Sequence, residues 1–171
     1  LPSYFAERRN LNLKDTGYYT AFSLFGMAIV APLAGFAADR LIDRGYNPVR
    51  VRKGFILAGF VCASTEIIGA LSSSHDVAIF FAIFSLSGLG LVTANYWALT
   101  QTLLPGAAVG RLVGVQNFAA NVPGFVAGSL TGYLLKWTGS YDAPMWAICI
   151  FLLTGIASYV FLVREKYVPK G

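Results

Sequence analysis

The chain alternates between long stretches with almost no charge and short bands in which charge is gathered. Five stretches are long and apolar: 16–38, 54–73, 77–104, 112–135 and 143–163. Each reaches roughly the 20 residues that cross a hydrocarbon core. Four of them hold no charged residue, and the second holds one, Glu66. They are too long for buried strands. In lipid, a single spanning segment must satisfy every backbone N–H and C=O within itself, which leaves the helix. The third run, at 28 residues, exceeds what a bilayer needs and is expected to tilt or project beyond it. Connectors of about 15, 3, 7 and 7 residues carry Pro48, Pro105, Gly106 and Gly139, the residue types that break helices. The opening Leu-Pro-Ser-Tyr-Phe reads as the tail of a further helix upstream, so the chain is expected to be a piece of something longer. The fold expected is an all-α membrane protein with five complete transmembrane helices plus the end of a sixth.

The charged bands set an orientation, because Lys and Arg are retained on the cytoplasmic side of a membrane. Five alternating helices place the first and third connectors and the C-terminus together. That side holds nine basic residues: Arg40, Arg44, Arg50, Arg52, Lys53, Arg111, Arg164, Lys166 and Lys170. The other side holds four, Arg8, Arg9, Lys14 and Lys136, largely offset by Glu7, Asp15, Asp76 and Asp142. The 39–53 loop and the C-terminus are therefore expected in the cytoplasm, with the chain in the cell (inner) membrane.

Composition supports lipid as the solvent. Of 171 residues, 56% are hydrophobic and only 12% charged, where a soluble domain carries about 25% charged. The net charge of +5 comes with no basic helix face or interleaved aromatic patch, so no nucleic-acid partner is expected. Cys62 and Cys149 both lie inside apolar runs and suggest buried small residues rather than a disulfide framework. The single histidine, His75, sits in a three-residue turn. No His/Asp/Glu cluster suits a metal, no nucleophile stands beside a base, and no phosphate-binding loop occurs. Neither an enzyme, a metal site nor a cofactor is expected.

The first connector carries a pattern beyond its charge. Gly35-Phe-Ala-Ala-Asp39-Arg40, then Asp43-Arg44-Gly45 and Arg50-Val-Arg52-Lys53, resembles the G-x-x-x-D-R signature between adjacent helices of the major facilitator superfamily. The usual continuation of that signature is degraded here. Gly35 would let the helix end pack closely. Asp39 could accept hydrogen bonds from a neighbouring helix N-terminus, and Arg40 and Arg44 could pair with acids across the bundle. Such contacts could latch one conformational state. A plain positive-inside loop with incidental acids is the other reading.

The runs Asn-Tyr-Trp-Ala-Leu-Thr-Gln-Thr-Leu-Leu-Pro (95–105) and 110–141 resemble, within that superfamily, the anion:cation symporters that carry hexuronates, galactonate or phthalate. The resemblance covers essentially the whole chain. It implies the C-terminal six-helix bundle of a twelve-helix carrier, with an N-terminal six-helix half as missing partner and a substrate site near mid-membrane between the halves.

Polar residues inside the apolar runs are the candidate site. Gln116, Asn117 and Asn121 lie in the fourth run, where amides are costly without partners or ligand. Asn117 and Asn121 share a helix face, which Gly124, Gly128 and Gly132 continue. They could bind substrate or serve as glue between helices. Pro123 interrupts the helical hydrogen-bond ladder and frees a carbonyl. With the hairpin turn centred near Ala107, Trp97 and Asn117 are each ten residues from it and at similar depth. The resemblance implies that this Trp and this Asn contribute to the substrate pocket. Trp97 would be an apolar wall for a sugar-acid ring, and Asn117 a donor and acceptor for hydroxyl or carboxylate. An interfacial belt residue is the alternative for Trp97. Tyr96 is a further candidate beside it. Glu66, ionisable and deep, could serve proton coupling, or could pair structurally with Ser64, Thr65 or a neighbouring helix.

The function expected is proton-coupled secondary transport of a small organic anion, a sugar acid or other carboxylate, by alternating access. Its partners would be that anion, protons or another coupling cation, and the bilayer. A carrier of a neutral sugar or drug, and a non-transporting membrane protein, are the alternatives.

Overall fold

The computed structural model describes residues 12–104, 106–140 and 142–164. The opening five residues, read above as a helix tail, lie outside the described residues, as do Lys166 and Lys170. Among the described residues the fold is all-α. Helix α1 spans Leu13–Asp43, α2 Pro48–Ser64, α3 Glu66–Leu71, α4 His75–Leu103, α5 Gly106–Thr138 and α6 Asp142–Leu162. With α2 and α3 taken as one span, five helical segments are long and apolar enough to cross a membrane.

Several helix ends run further than the apolar runs. Helix α1 continues through Asp39 and Arg40 to Asp43, and α5 begins at Gly106 and runs through Lys136 to Thr138. Charge ends an apolar run but not a helix, so these turns carry the helices past the expected lipid boundary. The ends that do form are chemically specified. Asn12 and Asn47 accept hydrogen bonds from the first free amides of α1 and α2, with Pro48 opening α2 where its missing N–H costs nothing. Gly45, at φ 92°, turns the chain after α1 while its N–H donates to the Ile42 carbonyl at 2.9 Å.

Helix α4 is the axis of the fold, packed along α1 on one side and α2 on another. Small residues make this possible. A Cβ built on Gly90 would meet the Met27 carbonyl oxygen at 2.8 Å and the Ala31 nitrogen at 2.9 Å, both backbone atoms of α1. One on Gly59 would meet the Gly88 carbonyl oxygen at 2.8 Å. The three backbones are therefore nearer than any side chain allows. The largest core cluster joins Val49, Ile56 and Leu99, flanked by Tyr96, Leu103, Tyr159 and Val163. It gathers the start of α2 and the ends of α4 and α6 at one end of the bundle.

The arginine-rich band lies at that same end. Lys53 Nζ donates to the carbonyls of Val160 and Val163, each at 3.0 Å. These are among the carbonyls that a helix C-terminus leaves without partners, and a cation there also meets the negative end of the helix dipole. Lys53→Met is expected to destabilise the bundle by about 1.5–3 kcal/mol, the range for a hydrogen bond to a charged group. Thermal unfolding in detergent checks it, with Lys53→Arg, which keeps a cationic donor, recovering most of the loss.

Outside this core the surface is apolar. Phe125 is 88% exposed and Phe151 67%, and α5 buries none of its residues. Water would not tolerate so continuous an apolar surface, whereas lipid is its natural solvent.

Candidate functional site

Helix α4 ends at Leu103 and α5 begins at Gly106, so the connection lies ahead of Ala107. Asn117 stands further along its helix from it than Trp97 does, not at the equal spacing expected. The candidate residues are distributed along both helices. Trp97 lies two turns beyond Gly90 on the face that meets α1, half-buried, with its ring edge-on to Tyr96 at 5.2 Å between centroids. Tyr96 itself turns toward the Val49–Ile56–Leu99 cluster. The two rings thus belong to different surfaces of α4.

On α5 the spacing argument holds in detail. The Asn121 side-chain amide donates to the Asn117 backbone carbonyl at 2.8 Å and approaches the Asn117 side-chain oxygen at 3.4 Å. Both asparagines are exposed. The Asn117 side-chain nitrogen keeps its donor capacity. Gln116 is turned aside, and its side-chain oxygen is buried without a partner among the described residues. A Cβ added at Gly124, Gly128 or Gly132 would meet nothing within 4 Å. Among the described residues, then, the glycine stripe is not the close helix contact that its spacing suggests. Helix α5 meets α4 only sparsely and Asn117 is exposed, so the described residues do not enclose Trp97 and Asn117 in a closed pocket.

The loop signature is partly rebuilt by the structure. Asp39 pairs with Arg52 from the start of α2, Nη2 to Oδ1 at 2.8 Å. Asp39 thus accepts from an arginine side chain thirteen residues on rather than from the backbone amides of a helix N-terminus. Arg40 and Arg44 are exposed and form no ion pair with a described residue. Gly35 stands against Ala94, but a Cβ there would sit at 3.7 Å from the Ala94 methyl, an ordinary contact. The forced close approach falls at Gly90 and Gly59 instead.

Glu66 opens α3, directly after a break in the second run. At Thr65 both the backbone N–H and the side-chain hydroxyl bond to the Cys62 carbonyl, which ends the regular ladder. Ser64 and Thr65, the expected local partners, thus serve their own helix. The Glu66 carboxylate instead accepts from the Ser85 hydroxyl of α4, the neighbouring-helix pairing. It faces α4 and α6, and neither Trp97 nor Asn117 is among the residues lining the space around it.

One polar residue was not singled out by the sequence reasoning. Asn95 is fully buried, its amide donating to the Leu91 carbonyl at 3.0 Å while its side-chain oxygen has no described partner. Only the direction in which α4 turns its faces distinguishes it from its neighbours.

Known proteins place this architecture. A family model described as Major Facilitator Superfamily matches residues 1–171. A probable sulfoacetate transporter from Cupriavidus necator is 30% identical over 164 residues, which is 95% of this chain and 38% of that protein. A probable L-galactonate transporter from Escherichia coli is 28% identical, over 96% of this chain and 37% of its own length. A voltage-gated purine nucleotide uniporter from mouse is 37% identical over 147 residues, 83% of this chain and 32% of that protein. The chain thus spans between about a third and two fifths of the length of these relatives.

Proposed function

Because the chain belongs to the Major Facilitator Superfamily, we propose that it is the C-terminal six-helix half of a secondary carrier, moving a small organic anion across the cell membrane with protons. The family and the named relatives are transporters rather than enzymes, and the fold is that of a multi-pass membrane protein. Support for an anionic substrate comes from the relatives named above, whose substrates are a sulfonate-carboxylate, a sugar acid and a nucleotide.

The observation that carries the reading is the free amide face of α5. Asn117 presents unused hydrogen-bonding capacity in a helix whose surroundings are otherwise apolar, and such groups mark ligand paths in membranes. Trp97 on the companion helix supplies a flat apolar wall. Asn121 fixes the Asn117 backbone, Gln116 carries a further buried acceptor, and Tyr96 braces the Trp97 ring edge. The apolar runs that carry Trp97 and Asn117 contain no basic residue, so the anion's charge falls to a basic residue of the N-terminal half. The Arg-rich end faces the cytoplasm in this reading, and Gly35, Asp39, Arg40 and Arg44 belong to the latch there.

Uptake of labelled galactonate and sulfoacetate into vesicles containing the full-length carrier tests the function. Accumulation is expected when an inward proton gradient is imposed, and it should collapse on adding a protonophore. Uptake that follows membrane voltage but ignores the proton gradient would overturn proton coupling. Asp39→Asn removes the acid of an ion pair in which Asp39 is 61% exposed. Asparagine keeps an acceptor for Arg52, but the Arg52 side chain is only 14% exposed and loses its counter-charge. The unfolding midpoint should therefore fall modestly, by the equivalent of about 1 kcal/mol. A latch role predicts a several-fold change in uptake rate in the same variant.

A further inference from the structure

A cavity of about 200 Å³ lies between α2, α3, α4 and α6, and neither Trp97 nor Asn117 lines it. Glu66 and Ser85 line it together with Leu86, Leu89, Met145 and Leu152. A narrower crevice continues from Glu66 past Cys149. Glu66 stands five residues before the end of α3 at Leu71, about 8 Å along the helix axis. The cavity is thus shallow enough to be reached from the membrane interface and deep enough to be apolar.

We propose that this cavity binds a small lipophilic amine, its ammonium on the Glu66 carboxylate and its ring or short chain among Leu86, Leu89 and Met145. Three observations lead to this chemistry. Ser85 donates the one hydrogen bond that Glu66 receives from a described residue, and it goes to Oε2. The carboxylate's other oxygen has no donor among the described residues. No basic side chain of a described residue forms an ion pair with Glu66. A buried carboxylate in that position is stabilised by a cation that brings its own N–H donors. The size is suited to it as well. An apolar cavity of about 150 Å³ holds a benzene ring, so this one has room for a ring with a short amine arm. The carboxylate would repel the organic anion of the transport path, which makes this a separate site whose test does not depend on the transport reading.

The probe is 2-phenylethylamine, with 2-phenylethanol as its neutral counterpart of nearly the same shape. Protein in lipid nanodiscs is treated with N-ethylmaleimide, and alkylation at Cys149 is followed by peptide mass spectrometry. The amine is expected to slow Cys149 alkylation saturably, with at least tenfold weaker protection by the alcohol. Glu66→Gln should weaken protection by the amine at least tenfold. Leu86→Trp fills the cavity while leaving Glu66 and Ser85 intact, and it should abolish protection even if Glu66→Gln proves poorly folded. Equal protection by amine and alcohol, protection that survives Leu86→Trp, or no saturable protection in the unmodified protein overturns the proposal.

Discussion

Gly90→Val is expected to prevent accumulation of folded protein in the membrane. The added Cβ would stand 2.8 Å from the Met27 carbonyl oxygen, 2.9 Å from the Ala31 nitrogen and 2.9 Å from the Val30 Cβ. Two of these are backbone atoms of α1 and cannot rotate aside. Valine brings two further methyls, so α1 and α4 must separate along the seam where the bundle is most tightly packed. Overpacking a core costs about 1–3 kcal/mol when neighbours can adjust, and here the neighbour is a helix backbone. Gly128→Val adds the same groups to α5 at a position with nothing within 4 Å, and within this bundle it should be tolerated. Fluorescence size-exclusion of detergent extracts compares the two directly. Loss of the folded peak is expected for Gly90→Val alone, and equal behaviour of the pair would contradict the packing described.

Trp97→Ala and Asn117→Ala should each lower kcat/KM for uptake by about 10- to 100-fold, and the asparagine variant should leave the unfolding midpoint nearly unchanged. A hydrogen bond to a charged group contributes about 1.5–3 kcal/mol, and each 1.4 kcal/mol is a factor of ten. The structural cost is small because the Asn117 side chain is exposed, so truncation leaves no described neighbour with an empty cavity. The helix-glue reading predicts the reverse: a lower unfolding midpoint, with uptake per folded molecule preserved. Trp97→Phe separates an apolar wall from an interfacial anchor, since it keeps a ring but loses the indole N–H. Recovery of most uptake by the phenylalanine variant is the expected result.

The elements of this fold were legible wherever a local rule decides them. Apolar length located the helices, and the four-residue spacing of Asn117 and Asn121 placed them on one face, where they do hydrogen-bond. What the sequence left open depends on contacts between distant residues. Lys53 caps carbonyls 107 and 110 positions away, and no local pattern marks it apart from Arg50 or Arg52. Asp39 finds Arg52 because α1 and α2 close as a hairpin, which brings together residues from opposite ends of one connector. The break at Thr65 arises from a hydroxyl competing for the Cys62 carbonyl, a choice that many threonines in helices do not make. The faces of α4 were the hardest to assign. Asn95, Tyr96 and Trp97 are consecutive, and only the positions of α1 and α2 decide that the first is buried, the second packs in the core and the third flanks the α1 seam.

The most direct test is solvent access to position 117 in the full-length carrier freed of Cys62 and Cys149. An Asn117→Cys thiol should react with a membrane-impermeant methanethiosulfonate, and galactonate or sulfoacetate should slow that reaction. A Phe151→Cys thiol, on an exposed apolar face of α6, should stay inert in the same membranes. Position 117 inert alongside 151, or reacting at a rate that neither anion changes, would contradict a substrate path along α5.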